Sequence, residues 1–262
     1  MKRLCFTVDV DRDVNECVAG RKEAASRNTN GGVRFTSSEE GTNIILDMLD
    51  EIGIEATFFA KARTLENIDA SFGKNEVAMH GLDHEDMTGE VSGIKLSDDE
   101  LDDILGTSSG IIKDRTGQTP KGFRAPYMRT DGRIMDAVKR AGTVYDSSLY
   151  AKIGKRSGPY VLANGLREVP VSYRTDENGK KMYAYLWPMH EGVRGPDDYV
   201  RMANTIEDGV LVIATHSWHI TESISGGIMS PAQKVKNISS VKNILTGILD
   251  NGLKTVRMID LF

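Results

Sequence analysis

Cysteine is scarce in this sequence of 262 residues, which contains only Cys5 and Cys17. The two thiols could pair with each other, but the cysteines of a cytoplasmic chain usually stay reduced. Cys5 lies in an apolar, strand-like run, and this position predicts a buried thiol in the core. We therefore expect two reduced cysteines, one of them in the core.

Long apolar runs are also missing. No stretch approaches the roughly 18 apolar residues that a membrane span needs. In the first ten residues, MKRLCFTVDV, two positive charges precede an apolar run, but Asp9 stops that run and no small-residue cleavage site follows. A signal peptide needs a longer apolar core. We therefore expect a cytoplasmic protein with no membrane partner.

Clustered positive charge is the third absence. Lys and Arg number 33 against 38 Asp and Glu, and the formal net charge is -5. A nucleic-acid-binding surface would need clustered Lys and Arg and a high pI, so no nucleic-acid partner is expected. The proportions of hydrophobic residues (39%) and charged residues (27%) are ordinary for a globular protein.

The chain contains neither internal repeats nor a linker rich in Pro and Ser. Its length suffices for one substantial domain with its own core. Residues 1–262 are therefore expected to form a single domain, and nothing in the sequence indicates an oligomeric state.

Short apolar runs alternate with amphipathic stretches along the whole chain, and this alternation predicts a largely parallel α/β sheet, open or closed into a barrel. Capping boxes of Thr36 with Glu39 and of Ser97 with Glu100 predict helices over residues 36–52 and 97–115. Further helices are expected at residues 131–141, 196–207 and 231–249, and strands at residues 3–10, 55–60, 77–80, 122–126, 143–146, 168–171, 210–216 and 254–258.

Polar side chains with reactive groups follow several of these predicted strands. They are Asp9, Asp11, His80, Arg124, Asp146 and His216. Parallel α/β sheets place their active sites at the carboxyl ends of the strands, so we expect these side chains at one rim.

His80 and His84 form an H-x3-H pair. On a helical turn, side chains four residues apart share a face, so both imidazoles can reach one ion. A divalent ion also needs an oxygen ligand and an open position for water. The alternative is a pair of surface histidines near the start of a helix.

Asp9 and Asp11 are two residues apart, and such residues point to the same side of a strand. Two carboxylates this close need a cation or a proton between them. Beside the histidines, one Asp would bind the ion and the other would accept a proton from water. The alternative is an Asp-rich surface turn.

Arg124 and His216 also have two interpretations each. Arg124 is either a surface ion pair or the residue that keeps a base carboxylate ionised, with the following Pro aiming the Tyr127 amide at an oxyanion. His216 is either a core residue or a general acid whose pKa is raised by Asp146. His219 is expected to pack or to lie in the loop.

Two further features bear on a substrate site. His190 and Trp187 could line a pocket, although ordinary packing is the default interpretation. The long segment of residues 12–35 directly follows the first aspartates, and long loops in compact domains are usually functional or disordered. We hypothesise that this segment is a lid or a wall of the site.

The ordered motifs TVDVD, HGLDH, FRAPY, YDSS and VIATHSWH, with ATFF at residues 56–59, resemble those of the NodB-homology polysaccharide deacetylases, carbohydrate esterase family four. The resemblance runs from about residue 4 to residue 260. It implies a distorted (β/α) barrel of about seven strands, similar to a TIM barrel, and a divalent metal, commonly zinc. It assigns Asp11, His80 and His84 as metal ligands, Asp9 as the base, and Arg124, Tyr127, Asp146 and His216 as further catalytic residues.

Two motifs depart from the usual pattern of that family. Val10 separates two aspartates that are usually adjacent, as in a subgroup similar to peptidoglycan-deacetylase-like and allantoinase-like proteins, and the last motif has HSW where that subgroup often has HPW. The expected function is metal-dependent hydrolysis of a linear amide, foremost N-deacetylation of a carbohydrate. Hydrolysis of a small N-formyl compound or ureide, and a non-catalytic metal-binding role, remain alternatives. The ligand set suits zinc, but also cobalt, nickel, iron and manganese.

Overall fold

The computed structural model describes residues 1–154 and 158–262. Its strands are β1 (Lys2–Val10), β2 (Asn15–Glu16), β3 (Ala25–Ser26), β4 (Thr57–Ala60), β5 (Glu76–Met79), β6 (Gly122–Phe123), β7 (Tyr145–Asp146), β8 (Tyr150–Lys152), β9 (Tyr160–Val161), β10 (Arg167–Glu168), β11 (Val171–Thr175), β12 (Lys181–Tyr183), β13 (Gly209–His216), β14 (Glu222–Ser223), β15 (Gly227–Ile228) and β16 (Lys254–Thr255). Its α-helices are α1 (Thr36–Ile52), α2 (Ala62–Leu65), α3 (Asp98–Thr116), α4 (Gly132–Arg140), α5 (Trp187–His190), α6 (Pro196–Asn204) and α7 (Pro231–Asp250), and its 3-10 turns are Pro126–Met128, Trp218–Ile220 and Met258–Leu261.

A curled sheet of nine strands forms the centre of the molecule. Seven of them run parallel in the order β13-β1-β4-β5-β6-β7-β10; β9 is antiparallel at one edge, and β16 pairs with the start of β1. The predicted α/β class and the distorted barrel of about seven strands are thereby confirmed. All seven parallel strands present their carboxyl ends to the same rim.

The gap between β13 and β10, the two ends of the parallel row, is spanned by the chain that follows β10. The Val212 amide donates to the Ser172 hydroxyl at 3.1 Å, and Ala214 exchanges backbone hydrogen bonds of 2.8 Å with the segment around Ala184 and Leu186. These contacts close the barrel with an irregular seam, so the sheet itself is a half-barrel. The seam brings residues 184–187 next to the end of β13.

Alternate residues of β1 enter two different cores. Leu4, Phe6, Val8 and Val10 belong to the large cluster that includes the helices, whereas Cys5 belongs to a smaller cluster with residues of β13 and the C-terminal segment. A strand buried on both faces is typical of a parallel sheet. Both cysteines are free, and the predicted burial of Cys5 is confirmed; burial raises the pKa of its thiol.

The two predicted capping boxes have different outcomes. The box of Ser97 and Glu100 is present at the start of α3 and is confirmed. The box of Thr36 and Glu39 is wrong, because the cap residue of α1 is Phe35 and makes no side-chain hydrogen bond. The Asp13 carboxylate caps this helix from a distance instead, accepting the amides of residues 37 and 38 at 3.0 and 2.7 Å.

This difference gives a stability prediction with an internal control. Ser97→Ala should lower the free energy of unfolding by about 1 kcal/mol, because it leaves the Glu100 amide without its acceptor. Thr36→Ala, at an exposed position of similar type, should change it by only a few tenths of a kcal/mol, since no cap is lost. Urea unfolding of both variants measures this difference. Equal losses would contradict the assignment of the caps.

Several short elements differ from the sequence prediction. The expected strand at residues 122–126 ends at Phe123 and turns into a 3-10 turn at Pro126. The hairpin β2–β3 and the sheet β12-β11-β8 were not predicted, because strands of two to five residues show too little alternation. Within the described residues, no helix combines the length and apolar character that crossing a membrane requires.

Candidate metal centre and active site

The carboxyl end of β1 delivers Asp9 and Asp11 to one side, as the strand period predicts. Asp9 lies opposite His216 in the ladder between β1 and β13, and both aspartates line the same pocket. Val10, between them, points into the core and is buried. The D-x-D spacing therefore places two buried carboxylates side by side at the rim.

Asp11, His80 and His84 form a compact set of potential ligands. One atom from each lies within 4.8 Å of the others, and all three residues are buried. The Nε2 atoms of His80 and His84 are each 3.5 Å from one oxygen of Asp11. Two atoms bound at about 2.0–2.1 Å to a tetrahedral ion lie about 3.3 Å apart, so this spacing fits a zinc-sized ion.

The two histidines lie in an irregular loop after β5, and the predicted helical turn is wrong. Gly81 and His84 both have positive φ angles, of 77° and 58°. An added Cβ at Gly81 would come within 2.7 Å of the Glu85 carboxylate and 3.2 Å of Pro126, so this position requires glycine. The positive φ angles of this loop turn the chain so that His84 lies beside His80, and no helical turn is involved.

Several polar atoms of these three residues are buried without a hydrogen-bond partner, and a bound cation would compensate the buried carboxylate. Both oxygens of Asp11 are buried and have no hydrogen-bond partner, and burial raises the pKa of this carboxyl. His80 Nδ1 lies 2.7 Å from the Arg124 carbonyl, which leaves Nε2 free to bind an ion. Burial lowers the pKa of His84 well below its usual value, so its imidazole is neutral. Two imidazoles and a carboxylate are a suitable ligand set for a divalent metal.

Asp9 has no such unpaired oxygens, because Arg124 and Tyr185 hold its carboxylate by hydrogen bonds. Arg124 Nη1 donates to Oδ1 at 2.7 Å, and the Tyr185 hydroxyl donates to Oδ2. His216 Nε2 is 3.9 Å from Oδ2. Burial alone would raise the pKa of Asp9, but the charge of Arg124 and the hydrogen bond from Tyr185, among others, outweigh it and lower the pKa. Asp9 is thus an ionised, oriented carboxylate beside the ligand set.

Arg124 is fully buried, so the alternative of a surface ion pair is wrong. Its guanidinium donates to the Thr7 hydroxyl, the Asp9 carboxylate and both oxygens of Ser147, and it lies over the Phe59 ring at 4.1 Å. Because each nitrogen of the Arg124 guanidinium donates a hydrogen bond, the orientation of the group is fixed. The Asp9 carboxylate that accepts from it is therefore fixed as well.

Asp146 is buried behind this network and does not contact His216 as predicted. Its two oxygens accept the Ser148 hydroxyl at 2.7 Å and the Ser148 amide at 2.8 Å, and Glu168 lies opposite it in the ladder between β7 and β10. His216 Nδ1 is buried without a hydrogen-bond partner. The expectation that Asp146 orients His216 and raises its pKa is therefore wrong.

His216 is instead placed by aromatic neighbours. Its ring stacks on Tyr185 at 5.5 Å and meets the edge of Trp187 at 5.5 Å. Its Nε2 lies 3.9 Å from one oxygen of Asp9 and from one of Asp11. Burial lowers the pKa of His216, although the two carboxylates oppose this effect. The imidazole faces the space above both aspartates.

Tyr127 has a positive φ of 58°, as does the next residue, Met128, at 55°. Positive φ in consecutive non-glycine residues is uncommon, and such strain is found most often at functional sites. The Tyr127 ring meets His84 edge to face at 4.4 Å. The turn that starts at Pro126 thus borders the ligand set.

A pocket of about 380 Å³ opens above these residues. Its lining consists of Asp9, Asp11, Asn15, His80, His84, Tyr127, Met128, Tyr150, Lys181, Met182, Tyr183, Tyr185, Trp187, Pro188, Arg194, His216 and Trp218. Apolar and aromatic walls with a few convergent polar groups are typical of sites for small ligands. Asn15 is the residue of segment 12–35 that lines the pocket. The role of this segment as a lid stays a hypothesis.

The remaining histidines lie outside the polar floor of the pocket. Trp187 lines the pocket, contrary to the default expectation of ordinary packing, whereas His190 is packed as expected, with Asn237 and Thr215 on its two ring nitrogens at 2.8 Å each. His219 packs between Trp218 and His190 and meets Glu191 at 2.7 Å, so its predicted packing is confirmed.

Tyr185, the hydrogen-bond partner of Asp9, was not predicted from the sequence, nor were the lining residues Tyr150, Lys181, Tyr183 and Arg194. Tyr185 lies in an irregular segment that bonds to β13 through a single bridge, so no local pattern marks it. The weak signal in the sequence is its position two residues before Trp187, which is a candidate pocket residue.

Part of the sequence is similar to a known family. Residues 33–145 match the profile of the polysaccharide deacetylase family. The chain is 32% identical over 116 residues to a peptidoglycan deacetylase-like protein of Gibberella zeae, covering 42% of this chain and 32% of that protein. It is 26% identical over 194 residues to a peptidoglycan deacetylase of Helicobacter pylori, covering 63% and 64%. Both matches span less than two thirds of the relative's own length.

Solved structures share the fold over nearly the whole chain. A Mycobacterium smegmatis protein assigned to the polysaccharide deacetylases aligns with a TM-score of 0.66 and 18% identity, covering 99% of this chain and 87% of that one. A pseudoenzyme of carbohydrate esterase family four from Bacillus anthracis aligns with a TM-score of 0.55 and 14% identity, covering 99% and 64%.

Proposed function

Because this chain carries a polysaccharide deacetylase domain of the NodB-homology type, we propose that it hydrolyses the amide bond of an N-acetylated carbohydrate with the help of a divalent metal. The observation that carries the proposal is the pairing of two carboxylates with opposite surroundings. Asp11 is buried with both oxygens unpaired beside two imidazoles, whereas Asp9 is held by Arg124 and Tyr185. Carboxylates in contrasting environments typically perform different tasks in one reaction.

Asp11, His80 and His84 would hold the metal, and zinc is the ion we propose; cobalt, nickel, iron and manganese suit the same ligands. When bound, the metal would polarise the amide carbonyl and lower the pKa of water. The Arg124 carbonyl fixes the ring of His80 through Nδ1. Such a second contact usually sets the orientation of a metal-binding histidine.

Asp9 is the general base of the proposal. It takes a proton from the attacking water, and its ionised state is secured by the charge of Arg124 and the hydroxyl of Tyr185. A base positioned in this way typically contributes about 10²–10⁴-fold to the rate.

His216 gives a proton to the departing nitrogen as the carbon–nitrogen bond breaks. Its Nε2 lies above both aspartates and faces the pocket, so it can reach an amide nitrogen placed over them. The Tyr127 backbone amide, in the strained turn at the pocket edge, would donate to the oxyanion. The proton that Asp9 gains from water replaces the one that His216 gives up, and the products are an amine and acetate.

The D-x-D spacing keeps a second candidate substrate class in consideration, namely a small N-formyl compound or ureide, because this spacing sets the chain apart from the usual adjacent aspartates. The expectations of a cytoplasmic location and of no nucleic-acid partner stay predictions. A non-catalytic role is disfavoured, because acid, base and ligand positions all carry competent residues. The Bacillus anthracis neighbour, described as a pseudoenzyme, makes a direct activity test necessary all the same.

The test is a screen of matched acyl compounds with the zinc-loaded protein. N-acetyl, N-formyl and ureido derivatives of one amino sugar, and simple N-formyl and ureido compounds without a sugar, are compared by product release. Release of acetate from the acetylated sugar as the fastest reaction supports the proposal. Faster cleavage of a compound without a sugar replaces it with the second class, and no cleavage of any compound overturns hydrolysis.

A buried ion-pair cluster behind the histidine loop gives a further prediction. Asp83, directly before His84, accepts Lys61 Nζ at 2.8 Å and also contacts Arg12, and the side chains of both cations are buried. This cluster ties the loop to the ends of β1 and β4. Lys61→Met should therefore lower zinc affinity by about 10–100-fold, in the range known for outer contacts of metal ligands.

Competition for zinc with a chromogenic chelator measures that affinity. Arg63→Met is the control, because this neighbouring residue is exposed and pairs only with Glu66 among the described side chains. It should leave zinc affinity unchanged. An unchanged affinity in Lys61→Met would show that the loop holds His84 without the cluster.

A further inference from the structure

The pocket wall opposite the histidine loop is aromatic and ends in a positive charge. Tyr185 bonds to Asp9 at the floor, and Tyr150 and Tyr183 follow, with ring centroids 4.6 Å apart. Tyr173 lies 5.5 Å beyond Tyr183, and the Lys181 ammonium lies over its ring at 5.4 Å. The wall therefore leads outward from the proposed base to a lysine.

The strand β12 fixes this order. Lys181 and Tyr183 are two residues apart on one strand, so they share a face about 7 Å apart, while Met182 points to the other face and is buried. Among the described side chains, no carboxylate forms an ion pair with the exposed Lys181 ammonium. Both Lys181 and Tyr183 line the pocket.

Arg194 adds a second cation to the lining. Asp176 accepts its Nη2 at 2.8 Å, and no hydrogen bond to Nη1 or Nε is recorded in the described part of the chain. A guanidinium anchored at one nitrogen keeps the rest of its fork available to an anion. Two cations against one carboxylate leave this side of the pocket positive, although the whole chain has a formal charge of -5.

We propose that the pocket prefers N-acylated sugars that carry a negatively charged group, a carboxylate or a phosphate, at some distance from the acyl nitrogen. This inference rests on the proposed function and specifies its substrate. The sugar rings lie along the Tyr150–Tyr183 wall, where aromatic rings provide apolar contact. The anionic group then meets Lys181 and Arg194 at the outer end.

Matched substrate pairs test this inference. One pair is an N-acetylated oligosaccharide with a free carboxylate and its methyl ester; the other is an N-acetylated sugar phosphate monoester and its dephosphorylated form. The anionic member of at least one pair should have a kcat/KM about fivefold higher, as expected for a partly exposed ion pair. The pair with the larger ratio identifies the carboxylate or the phosphate as the recognised group.

Substitutions assign the preference to the two cations. Lys181→Met should narrow the difference in kcat/KM between the anionic substrate and its neutral partner, and the double variant Lys181→Met/Arg194→Met should abolish it. Lys180→Met, next to Lys181 but outside the pocket lining, should preserve the preference. Charge-independent rates in the wild type, or a preference that survives the double substitution, would overturn this inference alone. No hydrolysis of any N-acetyl sugar would overturn the proposed function as well.

A separate observation concerns the pair of buried carboxyl groups behind Arg124. Asp146 and Glu168 face each other in the ladder between β7 and β10, both are fully buried, and Glu168 Oε2 accepts no hydrogen bond from any described donor. Two carboxyl groups buried side by side avoid mutual repulsion when one of them keeps its proton, which it can donate to the other. Burial and the charge of Asp146 raise the pKa of Glu168 to about 11, so Glu168 is the protonated partner.

This pair holds the turn on which Arg124 depends. Asp146 binds the Ser148 hydroxyl and amide, and the Glu168 carboxyl accepts the Leu149 amide at 3.1 Å. Ser147, within the same turn, accepts the Arg124 guanidinium at 3.0 and 3.2 Å. The geometry points to Asp146 and Glu168 as positioning residues that hold Arg124, and through it Asp9, by means of one shared proton.

The test compares a side chain at residue 168 that can donate a hydrogen bond to Asp146 with one that cannot. Glu168→Gln keeps a donor towards Asp146 and should retain kcat within about twofold, whereas Glu168→Met removes it and should lower kcat about tenfold or more with KM unchanged. If Glu168→Met does not fold, Ser147→Ala provides the same comparison and should show the same loss of kcat. A Gln variant as impaired as the Met variant, or unchanged kcat in both Met and Ser147→Ala variants, would overturn the assignment.

Discussion

The purified wild-type protein should contain about one equivalent of a transition metal, and the double variant His80→Ala/His84→Ala should contain none. The reason is that both imidazoles and Asp11 converge within 4.8 Å, so removal of two of three ligands leaves only one carboxylate. Elemental analysis of untagged protein gives the metal content directly. Hydrolytic activity should fall to background in the same variant.

The control for this result is His190→Gln. His190 is buried and bonded to Asn237 and Thr215, away from the ligand set, and Gln can keep polar contacts there. This variant should retain the metal. Circular dichroism of both variants distinguishes loss of the ion from loss of the fold. A wild-type protein that holds no metal and takes none up would refute the mechanism but leave the fold unaffected.

The second large effect is expected from Asp9→Asn, which should lower kcat by about 10²–10⁴-fold while the metal content stays at the wild-type level. Asn is nearly isosteric with Asp and keeps one oxygen for Arg124 or Tyr185, but it cannot take up a proton. The combination of a retained metal and a lost rate separates the base from the ligands. Steady-state rates and elemental analysis on the same preparation measure both.

Tyr185→Phe serves as the graded comparison for that variant. It removes the hydroxyl that donates to Asp9 but keeps the ring that stacks on His216. Because Arg124 still holds the carboxylate, kcat should fall by about tenfold at most, well below the loss in Asp9→Asn. An Asp9→Asn variant as active as the wild type would favour a non-catalytic protein with a metal-binding fold.

The structure shows that Asp146 is not in contact with His216. Asp146 was expected beside His216 because both follow strands at the same rim, but it lies one layer deeper, with Ser148 and Glu168. His216 is oriented by Tyr185 and Trp187. Position at the end of a strand therefore predicted which residues gather at the rim and did not predict which of them touch.

Local patterns decided a large part of the architecture. The helix at residues 36–52, the capping box of Ser97 and the buried strand β13 were predictable, because each depends on contacts within a few residues or on a simple period. The parallel sheet followed from the alternation of these elements. The cap of α1 was not predictable, since Asp13 reaches it from a separate loop.

The sequence by itself determined the residues of the candidate centre and their gathering at one rim, because a parallel sheet brings its carboxyl ends together whatever the details of the loops. Only the tertiary structure decided what each residue touches: Tyr185 on Asp9, Lys61 on Asp83, Glu168 on Asp146 and Lys181 at the end of the aromatic wall. The physical reason is distance along the chain. Most of these contacts join segments far apart in sequence, and irregular backbone such as the positive φ of His84 sets their geometry, so no local period encodes them.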